Sequence, residues 1–292
     1  MAWMIDTFSR KDLDAPRRQT EMLLEHVFGC KRLALYTDPD RPASPLERQG
    51  LRDLIGRALK HEPVQYLVGE AAFFGLDFKV DPRVLIPRPS TATIVEEVLQ
   101  HDRAARPGAP GSKGEGLLIA DICTGSGCIA ISLLKNLPLA RAVASDISPQ
   151  ALEIAAINAQ RHGVADRIDF VTGDLFDALE QHPVARCARS IDYLVSNPPY
   201  IPDDEWNDVE PNVKNYEPHL ALRGGTDGMS LVTPIIQQAS RLMTDRGLLL
   251  VEVASSRAPH AAQIAAGSVG LTDIRTLRDI DGLARVISAR RE

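Results

Sequence analysis

Only four cysteines, Cys30, Cys123, Cys128 and Cys187, are spread over 292 residues. None stands at metal-ligand spacing from another, so no zinc site is expected. A chain of this size with such spacings does not read as a disulfide scaffold, and a reducing cytosol is expected. Apolar runs all fall short of the roughly 18 residues that a membrane span needs. Met1 to Lys11 mixes Asp, Arg and Ser and lacks the apolar core of a signal peptide, so a soluble, cytoplasmic protein is expected. Positive charge is not in excess either: 33 Lys and Arg face 39 Asp and Glu, a formal net charge of -6. That balance removes bulk attraction to nucleic acid and leaves only local basic patches to provide it. No Gly-Lys-Ser/Thr occurs where a P-loop requires it, and there is no internal repeat. What remains, 44% hydrophobic and 25% charged residues, is an ordinary globular composition with enough chain for one large domain or two smaller ones.

From Leu13 to about Leu59 the pattern is one of short helices. Met22, Leu23, Leu24, Val27 and Phe28 form one stripe, and Leu46, Leu51, Leu54, Ile55 and Leu59 another, with Pro42 and Pro45 breaking the chain between them. Pro63 to Glu70 and Phe73 to Val80, rich in aromatic and β-branched residues around Gly75, read as a β-hairpin connector. Ser90 or Thr91 is the expected cap of a helix through Ile94, Val95, Val98 and Leu99. His101 to Gly116 reads as a surface loop. Beyond it strands and helices alternate: strands at Leu117–Ile122, Arg141–Ser145, Ile168–Thr172, Ile191–Ser196 and Gly247–Ala254, and helices at Cys128–Lys135, Pro149 to about His162 with Ser148 as cap, and Ser230–Leu242. Leu271–Leu277 and Leu283–Ala289 flank the turn Asp281-Gly282 as an antiparallel pair at one sheet edge. The polar stretch Ile201–Gly228 has the length of a functional lid. The expected domains are 1–62, helical; 63–86, a hairpin linker; and 87–292, catalytic.

Asn197-Pro198-Pro199-Tyr200 follows a strand that reads as central in a parallel sheet, and open α/β sheets place ligands at the C-terminal ends of such strands. Two prolines restrict the backbone and remove two donors. The Asn197 amide is thereby left to accept from and donate to a ligand, with Tyr200 as a flat wall. This combination suits a planar group carrying an NH2, such as an amide or an adenine edge.

Asp121-Ile122-Cys123-Thr124-Gly125-Ser126-Gly127-Cys128 joins the first strand of the sheet to its helix. Gly125 and Gly127 allow a tight turn and close backbone approach, although Cys123 occupies the place of a first glycine. Asp121 at the strand end repels a pyrophosphate but accepts from an ammonium group. Asp146 closes the next strand 21 residues after Gly125, a spacing that suits a carboxylate on two ribose hydroxyls. Asp174 follows the third strand and is placed for an adenine amino group, with Leu175 or Phe176 against the ring. A nucleoside carrying an amine instead of a pyrophosphate is S-adenosylmethionine.

With these motifs the chain resembles the class I S-adenosylmethionine-dependent methyltransferases, and within them the HemK/PrmC family of protein-(glutamine-N5) methyltransferases. The resemblance runs through Leu85-Ile86-Pro87-Arg88-Pro89, the glycine loop, Asn197 to Ile201, Tyr216-Glu217-Pro218, Ala221-Leu222 and Gly224 to Gly228. It implies an α/β, Rossmann-like fold: a mostly parallel seven-stranded sheet with an antiparallel edge hairpin, a small N-terminal helical domain and a β-hairpin linker. It implies methyl transfer to the glutamine of the Gly-Gly-Gln motif in peptide-chain release factors. Asn197, Pro198, Pro199 and Tyr200 form the implied catalytic turn. The implied cofactor site comprises Asp121, Cys123, Thr124, Gly125, Ser126, Gly127, Asp146, Ile147, Asp174, Leu175 and Asn197. The family usually continues Pro-Arg-Pro with Glu-Thr-Glu where this chain has Ser90-Thr91-Ala92, and Cys123 follows the relative that modifies ribosomal protein L3. Both departures bear on the target protein more than on the reaction. Ribosomal protein L3, adenine N6 in DNA, and a non-catalytic protein-binding module are the other readings. A monomer is the simplest expectation.

Overall fold

The computed structural model describes every residue except 12, 106–113 and 188. Five helices lead: α1 (Ala2–Ser9), α2 (Pro16–Phe28), α3 (Ala34–Thr37), α4 (Pro45–Ala58) and α5 (Val64–Val68). They enclose a small core of their own around Phe8, Leu23, Leu24, Ile55, Val64 and Leu67. Pro45 does not merely break the chain; it occupies the first turn of α4, where a missing N–H costs nothing. Ser44 and Glu47 close a capping box across it, Ser44 Oγ accepting from Glu47 N at 3.2 Å and Glu47 Oε2 from Ser44 N at 2.7 Å. Leu46, expected in the apolar stripe of α4, is 83% exposed.

Two corrections fall in the connector. Residues 64–68, expected in the hairpin, form α5 instead, because Val64 and Leu67 lie three apart and both bury into the helical core. The hairpin is shorter, β1 (Glu70–Phe73) against β2 (Leu76–Lys79), turned by Phe74 and Gly75 at positive φ. The expected loop from His101 begins later, since α6 (Ala92–Ala105) continues through it; the rest of that stretch, as far as residue 113, lies outside the described residues.

The remaining elements are β3 (Leu118–Ile122), α7 (Cys128–Asn136), β4 (Arg141–Asp146), α8 (Pro149–Arg161), β5 (Ile168–Thr172), α9 (Leu175–Gln181), β6 (Ile191–Ser196), α10 (Pro211–Tyr216), α11 (Val232–Gln238), β7 (Met243–Glu252), α12 (Ala258–Gly267), β8 (Leu271–Arg278) and β9 (Ala284–Arg291). The strands form one sheet in the order β5-β4-β3-β6-β7-β9-β8. Pairing is parallel from β5 through β7 and antiparallel for β7–β9 and β9–β8.

Alternate residues of each central strand serve opposite cores. Ile119, Ala142, Val195, Leu248 and Leu250 meet α6 and α7; Ala120, Ile122, Val143, Leu194, Leu249 and Val251 meet α9, α11 and α12. Burial on both faces explains why these strands read as continuous apolar runs. The chain crosses from the β4 side to the β6 side of β3, so the loops after β3 and β6 part at their C-terminal ends and open a crevice.

Candidate active site

The loop after β3 is bent by left-handed backbone at three alternate residues, Cys123 at φ 61°, Gly125 at 56° and Gly127 at 80°. At Gly127 the requirement is steric as well, because a Cβ would stand 2.8 Å from Ile131 Cδ1 and 3.3 Å from Ala155 Cβ. Asp146, at the end of β4, holds the loop from the side. Its Oδ2 accepts from Gly125 N at 2.9 Å and its Oδ1 from Ser148 N at 2.9 Å. Burial raises the Asp146 pKa above the ordinary carboxylate range, against the pull of these backbone N–H groups. Ser148 caps α8 as expected, accepting from Ala151 N at 3.2 Å.

Asn158, on α8, ties this loop to the connector. It is fully buried; its Oδ1 accepts from Lys79 N at 2.7 Å and its Nδ2 donates to Lys79 O at 3.0 Å and Ser126 O at 2.9 Å.

A cavity of about 240 Å³ opens over the loop. Cys123, Thr124, Gly125, Ser126, Asp146, Ile147, Asp174, Leu175 and Asn197 line it, together with Leu85, Pro87 and Thr91 from the segment before α6. Asp121 and Gly127 do not belong to that lining. Asp121 lies beneath the loop, fully buried, its Oδ2 accepting from Thr124 Oγ1 at 2.7 Å and Ala130 N at 3.2 Å. Its Oδ1 is buried with no partner among the described residues. Desolvation pushes its pKa up to about 7.

A second cavity, of about 600 Å³, lies on the other side of the β6 turn and is lined by Arg88, Pro198, Tyr200, Ile201, Pro202 and Arg285, among others. Asn197, Leu85 and Ala221 line both. Asn197 therefore stands in the wall between them. Its Nδ2 donates to Thr91 Oγ1 at 3.1 Å. Pro199 faces the first cavity and Tyr200 the second, with the Tyr200 hydroxyl donating to Glu252 Oε1 at 3.1 Å. Burial raises the Tyr200 pKa, so the phenol stays protonated.

The stretch between β6 and α11 folds back on this turn. Gly224 and Gly228 pack on Tyr200 so closely that a Cβ on Gly224 would lie 2.7 Å from Tyr200 Cα, and one on Gly228 would strike the Tyr200 carbonyl. Glu217, buried at the end of α10, accepts from Ile86 N at 3.1 Å and from Arg88 Nη2 at 2.5 Å. Tyr216 beside it donates to Lys60 O at 2.9 Å in the helical region. Arg88 thus orients the wall shared with the connector, and the expected lid is anchored at both of its flanks.

Sequence reasoning passed over Asn158, Glu217 and Glu252 as site-building residues and took Ser90 and Thr91 for helix caps. Ser90 Oγ instead donates to Glu252 Oε1 at 3.2 Å, and Thr91 Oγ1 serves Asn197. Glu252 carried a legible signal, a carboxylate inside Leu248-Leu249-Leu250-Val251-Glu252-Val253; Asn158 carried none.

Gly125, where a Cβ would meet nothing within 4 Å, and Asp146 and Asp174 in the lining are the features of the first cavity that suit a nucleoside; Asp121, expected to accept from an ammonium group, lies beneath the loop and does not line it.

Residues 1–69 match the PrmC N-terminal domain and residues 113–275 a methyltransferase domain. A release factor glutamine methyltransferase of Chlorobaculum tepidum is 40% identical over 281 residues, covering 96% of this chain and 92% of the relative. Another from Geobacter sulfurreducens is 38% identical over 288 residues, covering 99% and 94%. Among solved structures, a methyltransferase from Pyrococcus furiosus shares the fold with a TM-score of 0.50 at 14% identity, covering 83% of this chain and 98% of that one. At such identity over nearly its whole length, with both family domains in place and the Asn197 turn set between two cavities, the chain belongs to the release factor glutamine methyltransferases.

Proposed function

We propose that the chain transfers a methyl group from S-adenosylmethionine to the side-chain amide nitrogen of the glutamine in the Gly-Gly-Gln motif of peptide-chain release factors. The observation that carries the proposal is Asn197, whose side chain stands where the donor cavity and the acceptor cavity meet. When bound, S-adenosylmethionine supplies a methyl group already activated on sulfonium sulfur and leaves as S-adenosylhomocysteine. Asp146 and Gly125 form the wall for its ribose, Asp174, Leu175 and Ile147 that for its adenine, and Cys123, Thr124, Ser126 and Gly127 build the loop between them.

The chain's own task is alignment. A neutral amide nitrogen is a poor nucleophile, and holding it in line with the methyl carbon is where binding energy is best used. Asn197 Oδ1 accepts from one substrate N–H and the Pro198 carbonyl from the other. Pro199 stiffens the turn and Tyr200 packs against the amide plane. No strong base is required if the proton leaves after transfer.

Domains 1–62, 63–86 and 87–292 serve this division of labour: the helices grasp the protein substrate and the last domain binds the donor. The enzyme acts as a monomer in the cytoplasm, with no requirement for nucleic acid. Among the described residues no helix is long and apolar enough to cross a membrane.

The test is to incubate the chain with labelled methyl donor and, separately, a release factor, ribosomal protein L3 and DNA, and to map the label by peptide mass spectrometry. Label on the Gly-Gly-Gln glutamine is the expected result. Label on L3 alone moves the substrate, and methylated adenine with unmodified proteins overturns the reaction.

A further inference from the structure

The Asn197 turn is short of donors on its Tyr200 side. Pro198 and Pro199 have no N–H, Asn197 Nδ2 is turned toward Thr91 Oγ1, and the Tyr200 hydroxyl donates to Glu252 Oε1. Across the second cavity the Ser256 hydroxyl is spent on Glu205 Oε1 at 3.2 Å. The turn can therefore receive the N–H groups of an acceptor amide but offers little to the carbonyl oxygens that enter with it. At about 600 Å³ the cavity is larger than one glutamine side chain fills, which leaves room for the main chain beside it. A carbonyl buried there without a donor would weaken binding.

Two guanidinium groups line the same cavity, Arg88 ahead of α6 and Arg285 at the start of β9. Both are held from behind. Arg88 Nη2 donates to the buried Glu217. Arg285 is fixed through its main chain, its carbonyl accepting from Val253 N at 2.8 Å just beyond β7, and its Nε stands 3.5 Å from Asp279 Oδ2. Asp279 is itself locked in the β8–β9 turn, its Oδ1 accepting from Asp281 N at 3.0 Å and Leu283 N at 2.9 Å. Each carboxyl engages one nitrogen of its arginine, and Arg285 Nε is buried with no hydrogen-bond partner among the described residues. The two arginine side chains are only 30% and 26% exposed. A guanidinium is a fork of donors with no acceptor of its own. Withdrawing it from water is costly unless acceptors replace the water, and a ligand in the cavity supplies them. Glu205 and Asp208 line the cavity as well, so an anion would meet acidic side chains there, whereas a neutral carbonyl is not repelled.

We infer that Arg88 and Arg285 are specificity-determining residues that hold main-chain carbonyls of the acceptor peptide beside the glutamine. The inference rests on the proposed reaction and deepens it. Gly-Gly brings no side chains, so its main chain is what the enzyme can grip, and without a Cβ that main chain can lie close to both guanidinium groups. Bonds of this kind are alike in the bound substrate and in the transition state, so they act on binding and not on the chemical step.

Arg285→Met is the informative replacement, because it keeps the apolar stem and removes the fork. Full-length protein is assayed with release factor and methyl donor; release-factor binding in the presence of S-adenosylhomocysteine, donor binding by calorimetry and thermal unfolding are measured alongside. The release-factor KM and Kd are expected to rise about tenfold or more, the effect of losing one hydrogen bond to a charged group, with kcat and donor Kd within about twofold of wild type. Arg88→Met shows the same split, Arg285→Lys regains part of the lost affinity, and the double Met variant loses about the product of the two single factors. Wild-type KM and Kd for release factor in folded Arg285→Met overturn the inference. A fall in kcat with KM unchanged overturns it equally, since the arginine would then be a prop for the Asn197 turn. If Arg285→Met does not fold, Arg285→Gln is read in the same way, and wild-type release-factor binding by that variant overturns the inference. A wild-type chain that leaves the release-factor glutamine unmethylated, seen before any variant is compared, overturns the reaction and this inference together.

Discussion

Replacing Asn158 with alanine tests whether one buried amide holds the connector and the glycine loop in register. Asn158 makes three hydrogen bonds to main chain, two to Lys79 and one to Ser126. Alanine leaves one N–H and two carbonyls without that partner. Water reaches the Lys79 groups in part, while Ser126 O is buried against Asn158. At about 1 kcal/mol for each bond lost, and somewhat more for the group that water cannot reach, the cost is roughly 3 kcal/mol. For a chain of this size that corresponds to a Tm lower by about 6–12 °C. Urea unfolding and calorimetry of Asn158→Ala, compared with Ile157→Ala on the half-exposed side of the same helix, provide the measurement. The Ile157 variant is expected within about 0.5 kcal/mol of wild type. Donor affinity is expected to weaken as well, since Ser126 lines the first cavity. An Asn158→Ala protein as stable as the Ile157 variant would refute the reasoning, because the three bonds would then contribute nothing net.

Four further outcomes are expected. Asp146→Ala weakens donor binding about tenfold or more by calorimetry, since hydrogen bonds to a charged group are worth roughly 1.5–3 kcal/mol and the variant loses both the proposed ribose acceptor and the Gly125 anchor; an unchanged Kd counts against that role. Asn197→Ala lowers kcat about 100-fold while leaving donor Kd nearly unchanged, and near-normal turnover sinks the assignment. Gly127→Ala, forced to φ 80° with its Cβ against Ile131 and Ala155, loses about 1–3 kcal/mol of stability, read by urea unfolding. Asp121 titrates near 7 in the fold and near 3.8 as a free side chain, so the folded state binds the extra proton between these values. Stability from this group is accordingly greatest below about pH 4, declines as pH rises to about 7, and is level above it. Asp121→Asn is expected to flatten that part of the Tm–pH curve, and an unaltered slope contradicts the buried, raised carboxyl.

The linear order of the catalytic region was readable because each signal was local. Ser148 and Pro149 announce α8, Gly282 turns the terminal hairpin, and apolar runs mark β3 through β7. Short segments were less legible. Val64 to Val68 has the residue types of a strand, and only its contacts with the helical core make it a helix. The strand starting at Met243 instead of Gly247 and the helices α1, α9 and α12 left weak patterns, α12 being largely alanine.

What the sequence by itself determined is the chemistry available at each strand end: an amide held by prolines, a glycine loop, and carboxylates at Asp121, Asp146 and Asp174. These depend on residue type and on spacing within one βα unit, both written along the chain. Tertiary structure alone decided how those groups are oriented. Glu217 reaches Ile86 across 131 residues, Ser90 reaches Glu252 across 162, and Thr91 reaches Asn197 across 106. A hydrogen bond depends on distance and angle in space, so bonds between residues so far apart leave no trace in local pattern, and only folding brings Thr91 to Asn197 in the wall between the two cavities.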